Sequence, residues 1–327
     1  MGLRRFDVAL LGSGGGRAFL VRYRERRCAG SSEDHHLQSF GLYALAEYHL
    51  ATGDRGALDH AIELYRVVEK HSHDRANLGY FEEFSRDWKK LTGRGPGQSA
   101  MGSVGQKSQN THLHMLEAYT NLLRAWPDAT LKDSLRELID VMLTRVLDAS
   151  THHLNLFFDE NWTPTSHEVS YGHDIEFSWL VTEAAEVLGD ETLVEQAKRA
   201  AVKIAEVTLN EGVEADGSVA AEGVGKKVTN RHKDWWTQAE AAVGFANAYQ
   251  LSGQPVFLAA SLKTWDYIDE HLVDRKNGEW FIGINAEGKV SSPEKISFWK
   301  CPYHNGRACL ELLQRFRAIR AGQSSAH

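Results

Sequence analysis

Asn110, His173, Trp236 and Trp299 follow one another at intervals of 63 residues. This period limits what the chain can fold into more than any single motif does. Each of the four stands just before or at the start of a run that is apolar on most faces: residues 111–125, 175–188, 236–251 and 305–319. A fifth such run, 40–51, begins near Gln38, 72 residues before Asn110, and the glycine-rich stretch 93–105 accounts for the extra length. Helices that are apolar all round are buried. Between them lie amphipathic runs at 57–71, 131–147, 191–209 and 256–272, with apolar residues such as Ile62, Leu64, Tyr65 and Val68 on one side. Each amphipathic run is followed by glycine, aromatic and charged residues, as in Asn77-Leu78-Gly79-Tyr80-Phe81 and Asn277-Gly278-Glu279-Trp280-Phe281, which read as short hairpins or turns.

The repeating unit is therefore an outer helix, a hairpin and an inner helix. Units of this kind close into a ring whose inner helices line a central pocket. The expected fold class is all-α, an (α/α)6 barrel or toroid. Five inner and four outer helices are legible, whereas six pairs at this period need roughly 380 residues. The expectation is a barrel lacking about its first three helices. It divides as residues 1–36 (an atypical or disordered leader), 37–320 (the barrel) and 321–327 (a flexible tail).

Composition excludes some functions. A net charge of −7 over 327 residues argues against a nucleic-acid surface, which needs a basic patch. No apolar stretch approaches the ~18 residues of a membrane span. The N-terminus lacks the long apolar region and cleavage site of a signal peptide. Cys28, Cys301 and Cys309 form no CxxC pair, so the sequence predicts neither a zinc knuckle nor a redox dithiol and reads as cytoplasmic. Gly12-x-Gly14 follows an apolar run, but Arg17 stands where the third glycine of a dinucleotide loop belongs and no βαβ unit follows. No cofactor is expected.

The chain is rich in Trp (9) and His (16), residues that stack on sugars and titrate near neutral pH. They collect at the inner-helix starts. Asn110 and His114 are four apart and share a helix face, while His112 points elsewhere. His173 and Glu176 are three apart, and Trp236 and Glu240 are four apart. Trp299 and His304 flank Pro302, which suits a first turn, and Arg307 lies three beyond His304. If the inner helices run parallel, these groups meet at one end of the ring in a carbohydrate-sized pocket. Each residue also has a purely structural reading: Asn110 as a helix cap, the two glutamates as first-turn acids. A metal site built from His112, His114 and Glu176 would need an i, i+2 pair to converge, and no HExxH motif occurs.

Four segments carry a family resemblance. Lys107-Ser108-Gln109-Asn110-Thr111-His112-Leu113-His114, Ser170-Tyr171-Gly172-His173-Asp174-Ile175-Glu176, Trp235-Trp236-Thr237-Gln238-Ala239-Glu240-Ala241 and Trp299-Lys300-Cys301-Pro302-Tyr303-His304-Asn305-Gly306-Arg307-Ala308-Cys309 resemble the cellobiose 2-epimerases of the N-acylglucosamine 2-epimerase superfamily. The resemblance spans about residues 38–317. It implies an (α/α)6 barrel and epimerisation at C2 of a β-1,4-linked disaccharide through a cis-enediolate. His173 and His304 would be the acid/base pair, and His114 would assist ring opening or hold the substrate. Asn110, Glu176, Trp235, Trp236, Glu240 and Trp299 would line the pocket, with Trp162 a further aromatic wall. Residues 1–37 do not match the family's N-terminal portion. Its sugar-contacting arginine is not assigned to Arg17, Arg22 or Arg24, and His36-Leu37-Gln38 stands where the family has Tyr-Gly-Gln.

The implied partner is a disaccharide or monosaccharide substrate, handled by a monomer or weak homodimer, with no nucleic acid, membrane or metal. Other readings stay open at this point: an N-acylglucosamine or mannose 2-epimerase, a glycoside hydrolase using Glu176 and Glu240, and an inactive sugar-binding homologue.

Overall fold

The computed structural model describes residues 32–85, 88, 90, 106–297 and 299–324. Gly12, Gly14, Arg17, Arg22, Arg24, Cys28 and the glycine-rich stretch 93–105 lie outside the described residues. Among the described residues there are nine α-helices: α1 (His35–Thr52), α2 (Arg55–His71), α3 (Gln109–Ala125), α4 (Ala129–Val141), α5 (Tyr171–Leu188), α6 (Glu191–Glu211), α7 (Trp235–Ser252), α8 (Pro255–Tyr267) and α9 (Tyr303–Ser324). None is long and apolar enough to cross a membrane. α4 and α8 each end in a wider π-helical turn, Met142–Val146 and Ile268–Leu272.

The alternation read from the sequence is the architecture. α1, α3, α5, α7 and α9 pack in succession, and α2, α4, α6 and α8 each back the inner helix before them. Phe40 and Tyr43 of α1 touch Tyr303 of α9, so the succession returns on itself. The two helix classes differ in burial as their patterns require. α2, capped by Asp54 accepting from the Ala57 N–H, buries Ala57, Leu58, Ala61, Leu64, Tyr65 and Val68 along one stripe. α5 buries most of its length, from Tyr171 to Leu188. A core cluster between α5, α6, α7 and α8 includes Ile175, Ala205, Phe245 and Phe257, each large side chain there contributing about 1.5–3 kcal/mol by burial. At Gly244 a β-carbon would lie 2.7 Å from the Ile175 carbonyl oxygen. The missing side chain thus lets α5 and α7 approach closely.

Short strands fix where the inner helices begin. Lys107–Ser108, just before α3, pairs antiparallel with Phe157–Phe158. Glu168–Ser170, before α5, pairs with Glu222–Val224. Lys233–Asp234, before α7, pairs with Gly283–Ile284. Each inner-helix start is thereby tied to the hairpin of the next unit. The hairpins themselves repeat: bridges His73↔Tyr80, Leu147↔Leu154, Val213↔Val219 and Val273↔Trp280 follow the four outer helices. In three of them an aspartate (Asp74, Asp148, Asp274) accepts backbone N–H groups two and three residues on.

Two boundaries differ from expectation. α1 begins at His35, inside the segment assigned to a leader, and α9 continues to Ser324, past the tail boundary at 321. The extended residues Ser32–Asp34 end immediately before α1, and no proline interrupts α9 before Ser324.

Candidate active site

The N-terminal halves of α3, α5, α7 and α9 meet around one cation. The Arg307 guanidinium donates through Nη2 to Glu176 Oε1 (2.8 Å) and Glu240 Oε1 (2.7 Å), and through Nη1 to Glu117 Oε1 and to the Tyr303 hydroxyl (2.6 Å). Tyr303 donates in turn to Glu117 Oε2, and the Trp179 indole N–H donates to Glu240 Oε2 at 2.9 Å. The guanidinium carbon lies 4.7 Å from the Trp179 ring centroid and 4.4 Å from that of Tyr303, within cation–π range. Four inner helices thus contribute to one buried network, so their N-terminal ends point the same way. A cleft of about 500 Å³ abuts it, lined in part by Tyr43, Glu117, Trp179, Tyr303 and Arg307.

Against this network sit the histidines. His173 and His304 pack on Trp236, with ring centroids 4.7 and 5.6 Å from it. In both the Nδ1 atom is engaged: His304 Nδ1 with Glu240 Oε1 at 2.7 Å, and His173 Nδ1 with Ser170 Oγ at 2.7 Å. Each ring is therefore oriented through its Nδ1. Gly172 makes the packing of Trp236 possible, because a β-carbon there would lie 2.5 Å from its ring. His114 is buried one turn from Glu117, with Nδ1 3.2 Å from Glu117 Oε2 and its ring 4.8 Å from Phe40.

The three carboxylates do not share one state. Burial and the adjacent Glu240 push Glu176 well above the ordinary carboxylate range. Burial also raises Glu117, against the opposing pull of Arg307 and Tyr303. Burial would raise Glu240 too, but Arg307 and His304 outweigh it and hold the group down. Arg307 and His304 thus favour the charged form of Glu240, whereas burial favours the protonated form of Glu176. Burial, with His304 and Arg307 nearby, drives His114 well below the usual imidazole range, so it stands neutral.

The structure brings together His114, His173, Glu176, Trp235, Trp236, Glu240 and His304. Trp235 is buried, 6.3 Å from His304. Asn110 is half-buried on α3, one turn before His114, and it is not the cap. Ser108 fills that place by accepting from the Thr111 N–H. Two tryptophans sit elsewhere. Trp162 donates its indole N–H to the Asn77 carbonyl and packs on His112 and Phe158, with the Lys107 ammonium 4.6 Å from its ring. Trp299 is 51% exposed in the loop before α9, because that helix starts at Tyr303. The buried Lys300, bonded to Glu279 and the Lys295 carbonyl, anchors the loop instead. The third 63-residue interval therefore ends four residues before a helix start and not on one.

Two of the open readings lose their footing. His112 cannot join a metal site: Nδ1 pairs with the Ser108 carbonyl and Nε2 accepts from the Tyr80 N–H, and burial lowers the ring to about 4. Ligand-type atoms of Glu176, Glu240 and His304 do lie within 4.8 Å of one another, but the Arg307 guanidinium occupies the cation's place among them. For the same reason Glu176 and Glu240 are no hydrolase pair. Both are buried on one guanidinium nitrogen and do not face each other across a scissile bond. Glu117, Arg307, Tyr303 and Ser170 are the site residues to which the sequence assigned no role. The available signal was a charged or hydroxyl residue one turn from each histidine.

Comparison with known proteins agrees with this geometry. The family described as N-acylglucosamine 2-epimerase (GlcNAc 2-epimerase) matches residues 11–308. A cellobiose 2-epimerase of Bacteroides fragilis is 43% identical over 279 residues, covering 84% of this chain and 70% of that protein. One of Dictyoglomus turgidum is 40% identical over 283 residues, covering 85% and 70%. The structure of cellobiose 2-epimerase from Bacillus thermoamylovorans superposes with a TM-score of 0.79 at 38% identity, covering 87% of this chain and 72% of that one. The chain belongs to the N-acylglucosamine 2-epimerase family of (α/α)6-barrel carbohydrate 2-epimerases, enzymes of the isomerase class.

Proposed function

We propose that this chain inverts C2 of the reducing-end glucose of cellobiose or a related β-1,4-disaccharide, with His173 and His304 as the acid/base pair. The observation that carries this reading is the placement of the two imidazoles on Trp236, each held through Nδ1 by a different partner. The sugar opens to its aldehyde, which makes the C2 proton acidic. One imidazole takes that proton, and the electron pair of the C–H bond moves into a C1–C2 cis-enediolate. The other, as imidazolium, returns a proton to the opposite face, and the C1–C2 double bond reverts to the aldehyde. Each group serves in both roles, because the reaction runs in both directions. Asn110 and His114, on one face of α3, would hold the C1 end of the sugar, where developing charge needs donors. Trp235 and Trp236 would supply the aromatic surface.

Proton NMR of cellobiose in D2O with the purified chain tests the reaction class. Deuterium at C2 together with mannose-type signals is the expected result. Free glucose, or unchanged cellobiose with no deuterium, would overturn it. Comparing cellobiose with free glucose and N-acetylglucosamine separates the disaccharide reading from its monosaccharide alternatives.

Gly172→Ala provides a second check that leaves both histidines in place. The added methyl would overlap the Trp236 ring. Misplacing the platform between the acid and the base should cost about 100-fold in kcat. The overpacking should cost about 1–3 kcal/mol in stability. Steady-state kinetics and a urea midpoint measure the two, and parent-like kcat would show that the ring's position is not needed.

A further inference from the structure

Ser170 occupies the N-cap position of α5, yet its hydroxyl makes no capping bond to the helix backbone. Its Oγ instead meets the Nδ1 of His173 at 2.7 Å. The matching position before α3 shows what such a serine ordinarily does: Ser108 accepts from the Thr111 N–H at 3.1 Å. Both serines end short strands that tie an inner helix to the next unit's hairpin, and both are buried. Only the one beside His173 gives its bond to a side chain. The partner of His304 is of another kind, the carboxylate of Glu240.

From this geometry we infer that Ser170 is the positioning residue for His173: its hydroxyl fixes the ring's orientation and tautomer so that Nε2 faces the sugar. The inference rests on the epimerase reading above. If Nδ1–H donates to Ser170 Oγ, Nε2 carries the lone pair that takes the C2 proton. With the proton on both nitrogens, Nε2 donates it back. Removing the hydroxyl frees the ring to rotate and to exchange tautomers, and it leaves His304 with its own support. The defect should therefore fall on one face of C2 only. This distinguishes a positioning role from a structural one, since a general loosening of α5 would slow both faces alike.

The experiment compares wild type, Ser170→Ala, Ser170→Thr and Ser108→Ala in D2O, starting separately from cellobiose and from its C2 epimer. In Ser170→Ala, the sugar whose C2 proton is taken by His304 should still acquire deuterium, increasingly without inversion. From the other sugar, exchange and inversion should both fall by about 10- to 100-fold. KM should change little, because the hydroxyl is engaged with the imidazole. Ser170→Thr, which keeps the hydroxyl, should restore the wild-type partition. Ser108→Ala should lower Tm through loss of a cap, whereas Ser170→Ala should leave Tm in place. A wild-type ratio of exchange to inversion in Ser170→Ala would overturn the assignment, as would an equal fall in deuterium exchange from both sugars. A wild-type chain that exchanges deuterium into neither sugar would instead sink the epimerase reading itself.

Discussion

His304→Asn is expected to lower kcat by about 10²–10⁴-fold from either epimer, the range for losing a positioned acid/base, while the protein stays folded. The reason lies in how the histidine is held. Its Nδ1 bonds Glu240, but Glu240 also accepts from Arg307 and from the Trp179 indole. Removing the imidazole therefore leaves the buried carboxylate with two of its three partners, and no uncompensated charge is created. The ring packs beside Trp235 and Trp236 and is only partly buried, so its loss does not leave a fully enclosed cavity. Deuterium exchange at C2 gives a sharper test than turnover. With His304 gone, the sugar whose proton it removes should exchange no faster than in buffer. The other should still lose its C2 proton to His173 and regain one on the same face, so exchange should outlast inversion. Turnover within about tenfold of the parent would mean that some other group supplies the proton.

The ring of helices was legible because burial writes a period into the sequence. Inner helices such as α5 and α7 have few residues that tolerate water, and outer helices such as α2 carry a single apolar stripe. Their alternation could be counted without any homologue. The strand pairs that tie Lys107–Ser108 to Phe157–Phe158 and Lys233–Asp234 to Gly283–Ile284 could not. Two-residue strands have no periodicity, and their partners lie a whole unit away. Trp299 shows the resolution of such a spacing: it keeps the 63-residue interval and stands just before the last inner helix, which starts at Tyr303, immediately after Pro302.

The histidines, Trp236, Glu176 and Glu240 were readable as groups gathered at helix starts. Arg307 and Glu117 were in plain view, one turn from His304 and His114. What they do depends on contacts across as many as 190 residues of sequence, which no local pattern encodes. Ser170 was hidden differently. A serine before a helix reads as a cap, and only the geometry shows its hydroxyl turned to an imidazole.

Arg307→Met should be the most damaging single change in the core of the molecule. Methionine fills much of the arginine's volume, so the loss is electrostatic more than steric. Glu117, Glu176 and Glu240, all buried, would then face one another with no cation among them. Breaking a buried ion pair by removing one partner typically costs about 3–5 kcal/mol, a large share of the 5–15 kcal/mol that about spans the stability of ordinary domains. The pH dependence identifies the cause. In the parent, Glu240 is held below its unfolded value, so it contributes stability that is present above the unfolded pKa and lost as pH falls through the folded one. Glu176 is raised and contributes in the opposite sense: the native state holds its proton more tightly, and stability is lost as pH rises toward the folded pKa. Without Arg307 the lowering influence on Glu240 largely goes, and that group joins Glu176 in favouring the protonated form. The deficit of Arg307→Met relative to the parent should therefore be larger at pH 7.5 than at pH 5, where protons neutralise the orphaned carboxylates. Urea denaturation of both proteins at the two pH values measures this. A deficit that is the same at both would mean that Arg307 stabilises the core by packing on Trp179 and Tyr303 and not by balancing buried carboxylate charge.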